Sequence, residues 1–388
     1  MRYKHLIYSA SSLCLLCFGF LLFLNLSASE PAPPEIDAKI LQTGDLSFLK
    51  EELDGKSIVL LGESLHTDGT TFSSKIEIIK YLCDTLGFNT LLFEAGLYDM
   101  KDFDPRHPEK SLWPFWARSV QMKDLWEYVE DSKVEIGGID CQFSGNIPDS
   151  IRCDGLFSLF DSYGIEYPVT QKALRKVLRN MSLGLLDRFT DSDTLKLLLQ
   201  ELEVATTILP DDYERMYVNG LKNTIRYQSL YKAGDNRRIH WRDSIMYENA
   251  VWHLGKGNKT IIWCANMHAS KEYYHNRLLK HSGHYKNLGH RLHDKFRDSL
   301  YVILYDNWGR KSSSGKRPYY LPKTNSFEYA LHLSFPGQEL YITDIVCMPP
   351  MIFSRVFEAE FEFCISDMAN AIVFIDVMEN VQYDEESD

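Results

Sequence analysis

The sequence predicts an α/β fold in which a mostly parallel central sheet is flanked by helices and carries a mainly helical insertion. Short apolar, β-rich runs alternate with longer segments of helical periodicity, an order typical of βα units around a parallel sheet. Between residues 149 and 255 the strand pattern stops and helical periodicity continues. The chain has 388 residues, of which 45% are hydrophobic and 13% aromatic, which is sufficient for a packed core.

Seven apolar runs predict the strands, and the segments between them predict the helices. The strands are expected at residues 57–61, 90–93, 134–139, 260–264, 300–305, 339–343 and 371–375. Apolar residues recur at helical spacing in the other segments. Helices are therefore expected at residues 35–52, 72–86, 111–131, 170–182, 191–209, 213–231 and 242–254.

These patterns divide the chain into five segments. Residues 1–29 form a signal peptide or N-terminal anchor, and residues 35–148 the first part of an α/β hydrolase core. Residues 149–255 form the mainly helical insertion, and residues 256–380 the second part of the core. Residues 381–388 are acidic, and we expect them to form a disordered tail.

The N-terminal segment predicts export. A basic start is followed by an apolar run at residues 7–26, and small residues at 27–29 offer a cleavage site. The run nearly spans a bilayer, so an uncleaved anchor is the alternative. In either case we expect the protein in the periplasm or cell envelope, in contact with the membrane only through this segment.

The charge of the chain argues against a nucleic-acid partner. The formal net charge is −12, and no run of Lys or Arg stands out. Nucleic-acid binding requires a basic surface. The expected partner is therefore a small-molecule substrate.

Polar side chains follow the ends of four predicted strands. Because the carboxyl ends of parallel strands meet at one edge of a sheet, where open α/β folds bind ligands, we expect these side chains to converge. Taken alone, a carboxylate after a strand is more often a helix cap or loop residue, but a coincident set predicts an active site. In chain order the residues are Glu63 and His66, then Glu94, then Asp140, then Asn266 and His268.

The residue types favour hydrolysis. A histidine beside a carboxylate can accept a proton from water near neutral pH, and the carboxylate fixes its tautomer. The two histidines and two glutamates could equally bind a divalent metal ion, so a metal-dependent hydrolase is an alternative. A non-catalytic envelope protein that binds a ligand is the rival from another class. The sequence has no HExxH zinc motif at Glu63 and no Gly-x-Ser-x-Gly elbow in the right context.

The segment at residues 45–94, DLSFLKEELDGKSIVLLGESLHTDGTTFSSKIEIIKYLCDTLGFNTLLFE, resembles the N-terminal signature of the erythromycin esterase family. In that signature a strand runs into Gly-Glu-x-x-His, a helix follows, and the next strand ends in Glu. RDSIMYENAVWHL at 242–254, KTIIWCANMHAS at 259–270 and NLGHRLHDKF at 287–296 follow in the family's order. The resemblance covers most of the chain between residues 41 and 305.

This resemblance implies an α/β core with a helical part, and hydrolytic opening of a macrolide lactone by activated water. His66 matches the family's proposed general base, and Glu63, Glu94 and His268 match its other active-site residues. We expect His268 to polarise the carbonyl or to protonate the leaving alcohol. No cofactor is expected to be required, although the same four residues are the candidate ligands for a divalent metal.

Three further residues are expected to contact the substrate. Lys75 stands where the family usually has Arg, and it keeps the charge without the bidentate fork of a guanidinium. Asn266 and Asp140 follow predicted strands at the same edge of the sheet. Thr67 and Thr70 stand where the family tends to have Gly and an acidic residue.

Overall fold

A computed structural model describes residues 32–182, 190–232, 237–272, 286–310, 322–346, 351–357 and 360–383. Within these residues the chain forms ten strands. They are β1 (Lys39–Gln42), β2 (Ile58–Leu61), β3 (Thr90–Gly96), β4 (Glu135–Asp140), β5 (Thr260–Trp263), β6 (Leu300–Arg310), β7 (Glu339–Thr343), β8 (Met351–Phe353), β9 (Phe361–Phe363) and β10 (Ala371–Met378).

Eight of these strands form one sheet in the order β1-β7-β10-β6-β2-β5-β3-β4, and β8 and β9 form a small antiparallel pair. The six strands from β10 to β4 are mutually parallel. Strand β7 runs antiparallel to both β10 and β1. The fold class predicted from the sequence is therefore confirmed.

Thirteen α-helices surround the sheet in the part of the chain that the structure describes. They are α1 (Leu49–Glu52), α2 (Gly69–Leu86), α3 (Pro114–Ala117), α4 (Lys123–Asp131), α5 (Asp149–Ser162), α6 (Pro168–Ser182), α7 (Ser192–Ile208), α8 (Asp212–Lys232), α9 (Arg237–Leu254), α10 (Asn266–Ala269), α11 (Leu288–Phe296), α12 (Phe327–Ser334) and α13 (Ile365–Met368). Short 3-10 turns occur at Pro108–Lys110, Val120–Met122 and Arg297–Ser299.

The sheet is buried on both faces, as parallel sheets require. Helices α2 and α4 cover one face, where Phe72 and Ile79 of α2 join Val59 and Phe93 of the strands in one core cluster. Helices α9, α11 and α12 cover the other face. Alternate strand residues such as Leu60 and Ile262 point there. Successive strand residues point to opposite faces of the sheet, and both faces are buried. The strands therefore appear in the sequence as continuous apolar runs.

Helices α5 to α8 pack around a separate apolar cluster that includes Leu156, Leu174, Leu202 and Leu221. Helix α9 links this group to the sheet because it packs directly on the edge strand β4. The Asn249 amide of α9 donates a hydrogen bond to the Ile139 carbonyl of β4 at 2.8 Å. This hydrogen bond fixes the position of α9 relative to the carboxyl ends of the strands.

Two predicted helices differ from the structure. The predicted helix at residues 35–52 is wrong, because residues 39–42 form edge strand β1 and the helix is confined to α1. Ile40 pairs with Ile342 of β7, a long-range contact that local periodicity does not reveal. The predicted helix at 111–131 is interrupted, and α3 and α4 are separate helices joined by a 3-10 turn.

Residues 381–383, which the sequence assigns to the acidic tail, contact the rest of the fold. The Val381 amide donates to the Thr67 carbonyl at 2.9 Å, and Tyr383 forms a β-bridge with Ser119. Residues 384–388 and the predicted leader at 1–29 lie outside the described residues. Among the described helices, none combines the length and apolar character needed to cross a bilayer.

Candidate active site

The carboxyl ends of β2, β5, β3 and β4 lie side by side at one edge of the sheet. Glu63 follows β2, Glu94 lies in β3, Asp140 ends β4, and His268 lies in α10 just after β5. The structure brings these groups together in two hydrogen-bonded clusters, which interact electrostatically through Glu94 and His66.

The first cluster is built around the Glu63 carboxylate, which is fully buried. Its Oε1 lies 2.6 Å from Nδ1 of His66. Its Oε2 accepts hydrogen bonds from the Lys75 ammonium at 2.8 Å and from the Trp263 indole at 2.5 Å. Burial alone would raise the pKa of Glu63, but Lys75 and His66 outweigh it and hold the pKa below its ordinary value. Glu63 is therefore a carboxylate that fixes the orientation of His66.

His66 is the more exposed member of the pair, with 35% of its side chain accessible. Its ring stacks on Phe115 with centroids 4.8 Å apart and meets the edge of Trp116 at 5.7 Å. Burial lowers the pKa of His66, but the hydrogen bond that His66 donates to Glu63 and the negative charge of Glu94 outweigh burial, so that the pKa lies above its ordinary value. Because Nδ1 faces Glu63, Nε2 is the basic nitrogen of the neutral ring.

The second cluster is built around the Arg242 guanidinium, which comes from the first turns of α9. Its Nε and Nη2 donate to the two Asp140 oxygens at 3.0 and 2.7 Å, a bidentate pair. Nη2 also donates to Oε1 of Glu94 at 2.7 Å. The other Glu94 oxygen accepts from the Ala265 amide at 2.8 Å. Burial raises the pKa of Glu94, but the cationic His268 and Arg242 hold it well below the usual range.

His268 is buried between two carboxylates. Its Nδ1 lies 2.8 Å from Asp243 Oδ1, and its Nε2 lies 3.3 Å from Glu94 Oε1. Burial lowers the pKa of His268, but Asp243 and Glu94 raise it to about 10, so the ring is an imidazolium at neutral pH. Nε2 also lies 3.4 Å from Arg242 Nη1. A protonated Nε2 cannot accept from a guanidinium, so we assign the Nε2 hydrogen bond to Glu94.

Three residues predicted to contact substrate have other roles in the structure. Lys75 is fully buried and neutralises Glu63. Asp140 is 1% exposed and holds Arg242. Asn266 is also 1% exposed, and its amide binds the backbone carbonyls of Tyr305 and Val356 at 2.7 and 2.6 Å. Each of these side chains is hydrogen-bonded or ion-paired within the protein, and contact with a substrate stays a prediction for all three.

Sequence reasoning missed Arg242 and Asp243. Both lie near the start of α9. The apolar spacing of that helix predicted only that it packs against the core. The available signal was the RDS at the beginning of RDSIMYENAVWHL, where a cation and a carboxylate stand beside an apolar helix face. Trp263 was also missed, because its position in a strand suggests core, and its indole nitrogen nevertheless binds Glu63.

The four predicted ligands fit a metal ion poorly. Glu63 is paired with Lys75, and Glu94 is paired with Arg242, so a metal would have to displace an ammonium and a guanidinium. Nδ1 of His66 is bound to Glu63, which is another of the four predicted ligands. Within the described ranges, no group of three or more His, Cys, Asp or Glu is arranged to hold a metal ion.

Comparison with known proteins gives one partial sequence match and several matches of fold. No protein family model matches the chain. A stretch of 106 residues is 35% identical to the putative hydrolase YbfO of Bacillus subtilis (strain 168) and spans 25% of this chain and 24% of that protein. The chain thus spans about a quarter of the length of this relative.

Three solved structures are similar in fold. A Bacillus cereus protein has a TM-score of 0.64 and 19% identity, over 89% of this chain and 94% of its own. A succinoglycan biosynthesis protein has a TM-score of 0.66 and 16% identity, over 89% and 95%. A mutant of the erythromycin esterase EreC in its open conformation has a TM-score of 0.59 and 15% identity, over 92% and 100%. The chain has an erythromycin esterase-like fold, and a quarter of it is similar in sequence to a protein described as a hydrolase.

Proposed function

We propose that this protein is a hydrolase that opens a carboxylic ester or lactone, of which a macrolide lactone is one candidate, with water activated by His66. The observation that carries the proposal is the 2.6 Å contact between Glu63 and His66 Nδ1, which leaves Nε2 as the basic nitrogen. The similarity to a hydrolase and to an esterase fold supports this proposal.

In the proposed reaction, Nε2 of His66 takes a proton from water while the water oxygen attacks the carbonyl carbon. The carbonyl oxygen becomes an oxyanion. When the C–O bond to the alcohol breaks, the proton held by His66 passes to the departing alkoxide, so that the sum is the addition of one water. Glu63 stabilises the imidazolium formed during attack, as carboxylates do in other His–carboxylate pairs.

Arg242 is the group best suited to stabilise the oxyanion. Its Nε and Nη2 are committed to Asp140 and Glu94. Nη1 lies near a His268 nitrogen that carries a proton, so the Nη1 hydrogens can donate to a substrate oxygen. A fixed cation aimed at the developing charge supplies a large part of catalysis in hydrolytic enzymes. The buried His268 imidazolium adds a second positive charge close to this position.

The proposal extends to location and cofactors. We propose that the leader at residues 1–29 exports the protein to the periplasm or cell envelope, and that no metal or organic cofactor takes part. The substrate would be a small molecule, and the acidic charge of the chain argues against nucleic acid as a partner.

The test uses protein that lacks the leader, incubated with erythromycin and a panel of simple esters and lactones. Mass spectrometry measures the gain of one water, and His66→Ala is compared with the parent. His332→Ala is the matched control, because His332 also pairs with a carboxylate, Asp376, at 2.7 Å but belongs to another part of the fold. We expect turnover by the parent and the control and loss of turnover in His66→Ala. Equal turnover by all three proteins would exclude His66 as the base, and no turnover would favour a binding protein.

A further inference from the structure

We infer that helices α7, α8 and α9 form a second binding site, a groove for a neutral sugar chain. The groove holds about 590 Å³, within the range of small-molecule sites. None of the residues that line it belongs to the Glu63 or Arg242 clusters. The inference is independent of the proposed hydrolysis, and binding can be measured separately from turnover.

A nearly buried asparagine presents its amide to the groove. Asn223 of α8 is only 4% exposed and lines the groove, yet its side chain forms no hydrogen bond with any described residue. Although the residue as a whole is nearly buried, its amide atoms are accessible from the groove, where water or a ligand can hydrogen-bond to them. Asn219 lies one helical turn before Asn223 and also lines the groove. The two amides together present donors and acceptors in the pattern that vicinal hydroxyl groups require.

Two tryptophans line the α9 side of the groove. Trp241 and Trp252 are both half-buried, and they are separated by eleven residues of α9, or roughly 16 Å along the helix axis. Arg226 lies over the Trp241 ring at 5.4 Å and Lys256 over the Trp252 ring at 4.5 Å, so a sugar ring would pack its C–H face against the parts of the indoles that these side chains leave exposed. This separation suits an elongated ligand rather than a single ion.

The charges that line the groove cancel. Arg215, Lys222 and Arg226 supply three positive charges, and Glu203, Asp212 and Glu248 supply three negative charges. Lys222 is paired with Glu203, and Arg215 with Asp212. A groove for an anion would carry an excess of cations, so the balance favours an uncharged, hydroxyl-rich ligand.

The test is calorimetric titration of the leaderless protein with the neutral oligosaccharides cellotetraose, maltotetraose and chitotetraose. We expect at least one to bind, and Asn223→Leu to raise its dissociation constant by about tenfold or more, which corresponds to loss of one to two hydrogen bonds. Because the Asn223 amide has no described protein partner, the melting temperature of this variant should not fall. Gln171→Leu, an exposed amide on α6, is the matched control and should bind like the parent.

Three results would overturn the inference. The first is no binding of any of the three oligosaccharides. The second is equal binding by the parent and Asn223→Leu, or by Asn219→Leu if the first variant does not fold. The third is tighter, salt-sensitive binding of polygalacturonate than of the neutral chains, which would identify an anion site.

Discussion

The two members of the Glu63–His66 pair lie in different surroundings. Glu63 is fully buried and accepts three hydrogen bonds, whereas about a third of the His66 side chain is accessible. The carboxylate therefore stays ionised and fixed, while part of the imidazole is open to solvent. This arrangement gives the two residues separate roles, orientation for Glu63 and proton transfer for His66.

The raised pKa of His66 predicts the pH dependence of hydrolysis. A base must be neutral, so kcat/KM should rise with pH and level off above a pKa higher than the ordinary value of about 6.5. Glu63→Gln removes the charge that helps to raise this pKa. We expect the rising limb to move to lower pH while the plateau falls by about 10²-fold or more. A pH profile of kcat/KM checks both effects, and an unshifted limb would show that another group titrates.

A second prediction concerns Arg242. Arg242→Lys keeps the charge but loses the bidentate pair with Asp140 and the Nη1 donor. We expect kcat to fall by about 10²- to 10³-fold with a smaller change in KM, as when an oxyanion donor is removed. Arg175→Lys, at an exposed ion pair between α6 and α5, is the matched control. A change confined to KM would assign Arg242 to substrate binding instead.

The residues of the candidate site could be predicted from the sequence more readily than the contacts that each side chain makes. Glu63, Glu94 and His268 were found because each follows or ends a buried strand, and parallel strands bring such positions together. Spacing does not show which side chain is buried against another, so the ion pair between Lys75 and Glu63 could not be predicted. Arg242 was missed because helix periodicity records packing and not the direction of a long polar side chain.

At the scale of secondary structure, Gly62 directly follows β2, and the packing around it leaves no room for a side chain. A Cβ at this position would lie 2.1 Å from Oδ1 of Asn266 and 2.9 Å from Cδ2 of Leu304. The Asn266 oxygen accepts from the Tyr305 amide at 3.2 Å, and its Nδ2 donates to the Tyr305 carbonyl. Because Gly62 has no side chain, Asn266 can hydrogen-bond to Tyr305. These hydrogen bonds connect the start of α10 to β6, beside Glu63.

This contact predicts a local effect of Gly62→Ala. The added methyl group must displace Asn266, so we expect a loss of about 1–3 kcal/mol in the free energy of unfolding, the usual cost of overpacking. Gly44→Ala is the matched control, because a Cβ there meets nothing within 4 Å. Urea unfolding of both variants checks the prediction. Equal stability of the two variants would contradict the described packing around Gly62.

Strands were easier to predict than the segment before β2. The strand β7 was predicted with its observed bounds, since it is an apolar run flanked by polar residues. Residues 39–42 have no such local signal, and they form a strand because β7 offers a partner three hundred residues away. The local spacing of apolar residues carries no information about so distant a partner strand.

At the scale of the whole molecule, the site is assembled from two parts of the fold. The sheet supplies Glu63 and Glu94, while α9 supplies Arg242 and Asp243. The hydrogen bond from Asn249 to β4 and the ion pair between Asp140 and Arg242 connect the two parts. The charges of the site therefore contribute to holding the helices of residues 149–254 against the sheet.

This coupling predicts a pH-dependent stability. The pKa of His268 is raised from 6.5 to about 10 in the folded protein, because Asp243 and Glu94 outweigh burial. Its contribution to stability is fully present below pH 6.5 and is lost as the pH rises through about 10. His268→Gln lacks this contribution, so its stability should fall less over the same interval. Urea midpoints across this range test the difference, and parallel curves would contradict the assignment of an imidazolium.

The central claim is that His66 activates water for direct attack on an ester or lactone. The most direct measurement is a single turnover in oxygen-18 water, with the substrate that the panel identifies. Mass spectrometry follows both the product and the intact protein, for the parent and His66→Ala. We predict one heavy oxygen in the acid product, no covalent adduct on the protein, and no product from His66→Ala. An acyl adduct on the parent, or equal product from His66→Ala, would contradict the mechanism.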